Sequence, residues 1–310
     1  VIVFFIGFLG FLVGEDPYFH VAIAGKMAEH GVVLREFPWA TESVWVDNFF
    51  DKEWLFHLLI MVFLPFGRLA AGKLTIVVCN LAAAASLWYL FRSLKIRPPF
   101  WWLLLVPFAS FGHFLERLTM CRPHVLSIAF LALCLAFMIR RRPIALALTM
   151  ALYALAYTGH WQVVGIAVVY DVLYLVLDDQ GRRREKLKFV LPLTLPLLAG
   201  MVVGEIVHPS FPANIKGLWF QNVLVLQQHW RGTGAFAGME PGELGRMSWT
   251  SMALNYGPLV LCFIAAALHA IKRRQRLSRE IWFLALFAGF YLLLAGRGQR
   301  FTEYFIPVGV

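Results

Sequence analysis

Two adjacent carboxylates follow the first apolar segment, in the stretch Gly14-Glu15-Asp16-Pro17-Tyr18-Phe19-His20. An aspartate at such a boundary can act as a general base toward a hydroxyl group, or supply an oxygen ligand to a divalent cation. Asp16 can equally be the N-cap of a helix, with Glu15 as a favourable charge at the helix dipole. We predict that Asp16 is the catalytic base, that Glu15 assists it, and that His20 contacts substrate.

A second acidic group, Asp47, Asp51 and Glu53, stands just before the next hydrophobic stretch. His57 follows Glu53 by four residues, so the two side chains share one face of a helix. A carboxylate and an imidazole so placed can handle protons or a metal ion, or can simply belong to a solvated loop with an interfacial histidine. We predict that Asp51 and His57 bind substrate.

Basic side chains recur at two other boundaries. Arg117, Arg122 and His124 lie close together in one, and Arg300 and Glu303 in the other. Arginine binds phosphate through two parallel hydrogen bonds and does not titrate, which suits a phosphate leaving group. Salt bridges with nearby acids and interfacial anchoring are the alternatives. We predict that all five residues bind substrate.

The elements that position these residues are predicted to be membrane helices. The chain is 60% hydrophobic and 15% charged, with a mean hydropathy of +0.69, whereas a soluble domain is about half apolar and a quarter charged. The excess lies in blocks long enough to span the bilayer core as helices. Examples are Leu69–Leu90, Val125–Ile139, Ile144–Tyr157, Val163–Leu177, Phe189–Val203, Pro258–Ile271 and Ile281–Leu294.

The net charge of +10 does not indicate nucleic-acid binding. Thirteen of the 28 Lys and Arg residues fall in three short loops, at 140–142, 181–188 and 272–279. This distribution is typical of cytoplasmic loops. The four cysteines show neither a disulfide framework nor metal-ligand spacing.

The segment 14–53 is predicted to be the first external loop, since it carries eight of the 18 acidic residues. Asp16-Pro17 is expected to start a helix that runs through Tyr18–His30 and stops at Gly31. Phe19, Ile23 and Met27 form an apolar stripe on it, which predicts an interfacial helix lying along the membrane surface.

We therefore predict an all-α bundle of about ten to eleven membrane segments, as a single domain over 1–310. Trp54–Leu64 either crosses the membrane or dips in and returns. The segment 208–255 is predicted to be a long external loop with a short helix at Lys216–Gln228. Val1–Val13 and Phe305–Val310 resemble parts of spans, so we expect the chain to be truncated at both ends.

The pattern resembles the GT-C class of membrane glycosyltransferases. Asp16-Pro17-Tyr18-Phe19-His20 is similar to the Asp-Pro-aromatic-aromatic motif of archaeal oligosaccharyltransferase catalytic subunits. Arg122-Pro123-His124 resembles the Arg-Pro-Asp-like turn of aminoarabinose and O-mannosyl-type transferases, and Arg300-Phe301 with Pro307 resembles a late oligosaccharyltransferase segment. The Trp-Trp-Asp-Tyr-Gly and Asp-Asn-Glu motifs of oligosaccharyltransferases are absent from the sequence, which leaves the acceptor open.

This resemblance implies a polyprenyl-phosphate-linked sugar donor, an active site on the outer face, and a divalent cation such as Mg²⁺ or Mn²⁺ at Asp16. We expect an inverting transferase in a bacterial or archaeal cell membrane, contacting the lipid-linked donor, membrane lipids and an acceptor. The donor phosphate is expected near Arg122, His124 and Arg300. Two alternatives are a transporter or lipid flippase that uses Asp171 and Glu205 as coupling groups, and a non-catalytic scaffold subunit of the cell envelope.

Overall fold

The computed structural model describes residues 9–39, 41–42, 46, 49–109, 113–177, 183–224, 227, 231, 248–272, 278–296 and 301–309. The regular elements in these ranges are all helical. They are α1 (Asp16–His30), α2 (Trp54–Phe63), α3 (Arg68–Ser93), α4 (Pro99–Leu105), α5 (His113–Leu118), α6 (Pro123–Ile139), α7 (Pro143–Ala156), α8 (Gln162–Leu177), α9 (Arg183–Val207), α10 (Ala213–Trp219), α11 (Trp249–Lys272), α12 (Arg279–Ala295) and α13 (Thr302–Gly309).

Helix α1 ends where its sequence predicts and begins slightly earlier. Glu15 takes the N-cap position without a side-chain hydrogen bond, Asp16 is the first helical residue, and Pro17 lies in the first turn. The N-cap prediction for Asp16 is therefore wrong by one position. At the other end, Gly31 has a φ of 112°, and its N–H donates to the Met27 carbonyl at 2.9 Å. Glycine adopts this left-handed backbone without steric cost.

The apolar stripe of α1 faces other residues of the protein. Ile23 and Met27 are buried and pack with Phe37 and Phe49, and the partly buried Phe19 packs against the same cluster. The rings of Phe37 and Phe49 stack with centroids 4.9 Å apart. The expectation that this stripe rests on the membrane surface is therefore wrong, because the returning loop supplies the apolar partner itself.

Helix α2 is too short to cross a membrane by itself. With the 3₁₀ turn Leu64–Phe66 that follows it, it rises about 20 Å, whereas the hydrocarbon core is about 30 Å thick. Gly67, at a φ of 97°, then starts α3 immediately. To cross, this segment would need neighbouring residues to complete the span.

Three helical stretches in the described part are long and apolar enough to cross a membrane: Arg68–Ser93, Thr158–Val176 and Trp249–His269. Shorter apolar helices of 10–17 residues are Trp54–Phe66, Pro99–Phe108, Pro123–Ile139, Pro143–Ala156, Leu191–Val207 and Glu280–Ala295. The chain thus has the helices of a membrane protein, while the number of ten to eleven membrane segments stays a prediction.

The bundle is held together by close helix contacts. Helix α3 packs on α6, α6 on α7, and α7 on α9. Helices α7 and α9 approach closely: a Cβ atom at Gly200 would overlap the Ala147 carbonyl oxygen, and one at Gly204 would lie 2.6 Å from that of Ala151. Small residues spaced by four allow two backbones this close in a membrane.

The C-terminal helices pack against the same bundle. Helix α13 contacts α12, α6 and α5. The Ser127 hydroxyl lies between two phenol groups, hydrogen-bonding Tyr153 of α7 and, at 2.9 Å, Tyr304 of α13. This buried polar junction fixes α13 to the bundle. Glu303, which precedes Tyr304 in the chain, is buried as a result.

The segment 208–255 is partly helical. The predicted helix at Lys216–Gln228 overlaps α10 and the π-helical turn Phe220–Leu224, but the helical run begins at Ala213. Helix α11 starts at Trp249, so the loop ends earlier than predicted. A Cβ atom at Gly217 would lie 1.9 Å from the Phe50 ring, so α10 packs directly on the loop that precedes α2.

Replacing Gly200 with leucine should separate α7 from α9. The side chain has no space beside Ala147, whereas the equivalent change at Gly165 in α8 meets nothing within 4 Å. We expect Gly200→Leu to lower the thermal unfolding midpoint of the detergent-solubilised protein, because a core helix must shift. Gly165→Leu is the control and should unfold near the wild-type temperature. Equal midpoints for the two variants would contradict the close packing.

Candidate functional site

The exposed part of the site is an ion pair between Asp16 and Arg122. Oδ2 of Asp16 lies 2.9 Å from Nη2 of Arg122, and their side chains are 55% and 19% exposed. Asp16 opens α1, and Arg122 stands in extended backbone just before α6, whose first residue is Pro123. The helix starts therefore bring together two residues that are far apart in sequence. The Glu15 side chain is exposed beside them.

Beneath this pair lies a buried chain of imidazoles and carboxylates. The Asp51 carboxylate lies 2.8 Å from Nδ1 of His57, and Nε2 of His57 lies 2.9 Å from Nδ1 of His20. Oε2 of Glu53 is 3.7 Å from the same His20 nitrogen. All four side chains are buried. Buried polar groups need such partners to offset lost hydration, so this chain fastens α1 to the start of α2.

Burial lowers the pKa of His20 well below its ordinary value. Nearby His57, Lys52, Arg122 and His124 lower it further, in that order, because each disfavours a second positive charge. His20 is therefore neutral at pH 7. Arg122 and His124 are thus near enough to the buried chain to act electrostatically on the His20 ring.

Arg117 and Glu303, both predicted to bind substrate, bind each other. The Nε and Nη2 groups of Arg117 donate to one carboxylate oxygen of Glu303, and both side chains are buried. Nε2 of buried His124 lies 2.8 Å from the Arg117 carbonyl oxygen, while its Nδ1 has no hydrogen-bond partner. The pair joins α5 to α13, which gives Arg117 and Glu303 a structural role.

A second polar cluster surrounds Glu205. Its carboxylate lies 2.9 Å from Nε2 of His160, and Asn214 donates to both its carboxylate and its backbone carbonyl. His208 hydrogen-bonds the backbone of Asp51, which links this cluster to the buried chain. Sequence reasoning did not assign His160, His208 or Asn214 to the site. The sequence singled out Glu205 as a coupling group of the transporter alternative, but nothing in the sequence paired it with His160.

The two acids of the transporter alternative lie in different places. Glu205 lines a small cavity with Lys52, His160 and His208, among others. Asp171 does not line that cavity and instead accepts a hydrogen bond from Thr194 of α9. In the structure, therefore, Glu205 and Asp171 have different polar partners.

The surroundings of Asp16 do not fit the divalent cation that the resemblance implies. Its carboxylate is already paired with the guanidinium of Arg122. Among the described residues, the donor atoms that converge within 4.8 Å of one another belong to His20, Glu53 and His57. Arg300 and Asp47 lie outside the described residues.

No protein-family model and no curated protein matches the sequence. A similar fold occurs in the archaeal oligosaccharyltransferase AglB from Archaeoglobus fulgidus, solved in complex with an inhibitory peptide and a dolichol-phosphate, at a TM-score of 0.57 and 13% identity. The match covers 97% of this chain and 46% of that chain, so this chain spans less than half of its neighbour's length. At 13% identity, this comparison shows that the two chains share a similar fold.

Glu303→Gln should destabilise the protein strongly. It leaves the buried guanidinium of Arg117 without its counter-charge, and breaking a buried pair in this way costs about 3–5 kcal/mol. Thermal unfolding in detergent measures the effect. Replacing both partners, by Arg117→Met with Glu303→Leu, should restore much of the loss. Glu29→Gln in an exposed pair with Lys26 is the control, and an equal loss there would contradict the structural role of the buried pair.

Proposed function

We propose that this protein is a glycosyltransferase that moves a sugar from a polyprenyl-phosphate-linked donor to a hydroxyl acceptor at the outer face of the membrane. The observation that carries this proposal is the exposed pair of Asp16 and Arg122. It places a carboxylate, which can accept a proton, beside a guanidinium, which can bind a phosphate.

The proposed reaction is a single displacement at the anomeric carbon. The acceptor oxygen forms a bond to that carbon as the bond from the carbon to the donor phosphate oxygen breaks. The phosphate leaves with the electron pair, and Asp16 takes the proton of the acceptor hydroxyl. One displacement inverts the anomeric configuration.

Arg122 is proposed to hold the leaving phosphate. A guanidinium carries five N–H donors, so Arg122 can contact Asp16 and a phosphate oxygen together. Two residues later, the Nε2–H of buried His124 donates to the Arg117 carbonyl oxygen, which helps to fix the turn that carries Arg122. Developing negative charge on the phosphate is best stabilised by donors already in place before reaction.

The position of the proposed base, Asp16, is set by the connection between α1 and α2. Asp16 starts α1, and His20 one turn later is tied to His57 of α2. A base held this way loses little freedom when the acceptor binds, which is the usual source of rate enhancement by positioning. Glu15 is proposed to assist Asp16 by adding negative charge beside it.

The fold supports a lipid-linked donor. The neighbour of similar fold binds a dolichol-phosphate, and this chain has apolar helices long enough to cross a membrane. A polyprenyl chain would lie along such helices while its phosphate reaches the Arg122 side chain. The acceptor is proposed to be a hydroxyl compound.

Asp16→Asn tests the proposal. Asparagine keeps the size of the side chain but cannot take the proton, so we expect transfer to fall by about 10²- to 10⁴-fold, the usual contribution of a general base. The assay measures radiolabelled sugar moved from a panel of polyprenyl-phosphate-linked hexoses to membrane acceptors.

Glu29→Gln is the matched control, because it removes a carboxylate from the same helix at its other end. It should leave transfer within a few-fold of wild type. Full activity of Asp16→Asn, with normal expression and unfolding temperature, would exclude Asp16 as the base. If the wild-type protein transfers no sugar from the panel, that result favours the alternative of a non-catalytic scaffold subunit of the cell envelope.

A further inference from the structure

We propose that His20, Glu53 and His57 form a binding site for a transition-metal dication of the Zn²⁺ class. Their donor atoms lie within 4.8 Å of one another, and all three side chains are buried. The site is separate from Asp16 and does not depend on the proposed sugar transfer.

The hydrogen bond of Asp51 prepares His57 to bind a metal. Both carboxylate oxygens of Asp51 lie 2.8 Å from Nδ1 of His57, so that nitrogen carries the proton. The lone pair of His57 is then on Nε2, which faces Nδ1 of His20. A carboxylate that orients a histidine in this way is the usual outer shell of a zinc ligand.

His20 is also suitably placed. Its Nδ1 lies 2.9 Å from Nε2 of His57 and 3.7 Å from Oε2 of Glu53, so this nitrogen faces both other ligand atoms. Without a metal, its Nδ1–H donates to His57. With a metal, the other ring nitrogen carries the proton and Nδ1 becomes a ligand.

Glu53 supplies an independent observation. Its Oε2 atom is buried and has no hydrogen-bond partner in the structure. It lies 3.7 Å from Nδ1 of His20, while Oε1 is 3.7 Å from Nζ of Lys52. A buried carboxylate oxygen left without a partner is costly, and a cation between Glu53 and the two imidazoles would satisfy it.

The distances suit a tetrahedral ion after a small adjustment. Zinc binds nitrogen and carboxylate oxygen at about 2.0–2.2 Å, which sets neighbouring ligand atoms about 3.3–3.6 Å apart. The separations from His20 Nδ1, 2.9 Å to His57 and 3.7 Å to Glu53, fall on either side of that range. The third separation, between His57 and Glu53, is within 4.8 Å, so an ion would draw the three ligand atoms into this range.

The donor set selects the kind of metal. Two imidazole nitrogens and one carboxylate suit Zn²⁺ and similar ions, whereas Mg²⁺ and Ca²⁺ prefer oxygen ligands alone. The negative charges of Glu53 and Asp51 together balance a dication. A water molecule or an anion would take the remaining tetrahedral position.

Metal binding by the purified chain tests this site. The protein in detergent is stripped with a chelator and titrated with Zn²⁺ or Co²⁺, and bound metal is counted by elemental analysis. We expect about one tightly bound ion per chain and, for Co²⁺, the strong visible absorption of tetrahedral coordination. His57→Asn should abolish this binding, and Asp51→Asn should weaken it about 10- to 100-fold.

His30→Asn is the matched control, because it removes an exposed histidine from the same helix and should leave the binding unchanged. Glu53→Gln keeps the shape of the buried side chain and should weaken metal binding. This variant tests the proposed site even if the His57→Asn protein does not fold. Absence of stoichiometric binding by the wild-type protein, or equal binding by wild type and Glu53→Gln, would overturn the proposal.

Discussion

The buried chain from Asp51 through His57 to His20 is the interaction on which the site depends. It ties α1, whose first residue is Asp16, to the start of α2. Without this chain, α1 would be held mainly by the apolar contacts of its stripe. Those contacts determine which face of the helix is buried, but they do not stop the helix from sliding along its own axis. Directional bonds between buried imidazoles and carboxylates supply that restraint. The proposed metal ion would strengthen the same connection.

The other half of the site depends on the C-terminal helices. Glu303 of α13 holds the guanidinium of Arg117, and the backbone carbonyl of Arg117 contacts His124. Arg122 lies between these two residues in sequence, so the buried ion pair fixes the turn that presents it to Asp16. Of the residues predicted to bind substrate, Arg117 and Glu303 thus pair with each other in the interior, while Asp16 and Arg122 pair where both side chains are partly exposed.

Local sequence signals predicted local structure. Pro17 and Gly31 marked the two ends of α1 to within a residue, since backbone conformation near them is set by the residues themselves. The spacing of Glu53 and His57 also indicated a shared face. The partner of Arg117 could not be predicted, because Glu303 is 186 residues away and only the tertiary fold brings it close. The stripe of α1 showed that one face avoids water but not whether lipid or protein covers it.

The anomeric configuration of the product tests the central claim most directly, because the claim is a single displacement with Asp16 as base and no covalent intermediate. Nuclear magnetic resonance of the glycoside formed from a polyprenyl-phosphate sugar of known configuration gives the answer. We predict that every transferred sugar has the configuration opposite to that of the donor. Retention of the donor configuration would contradict it, since two displacements and a nucleophile on the enzyme would then be required.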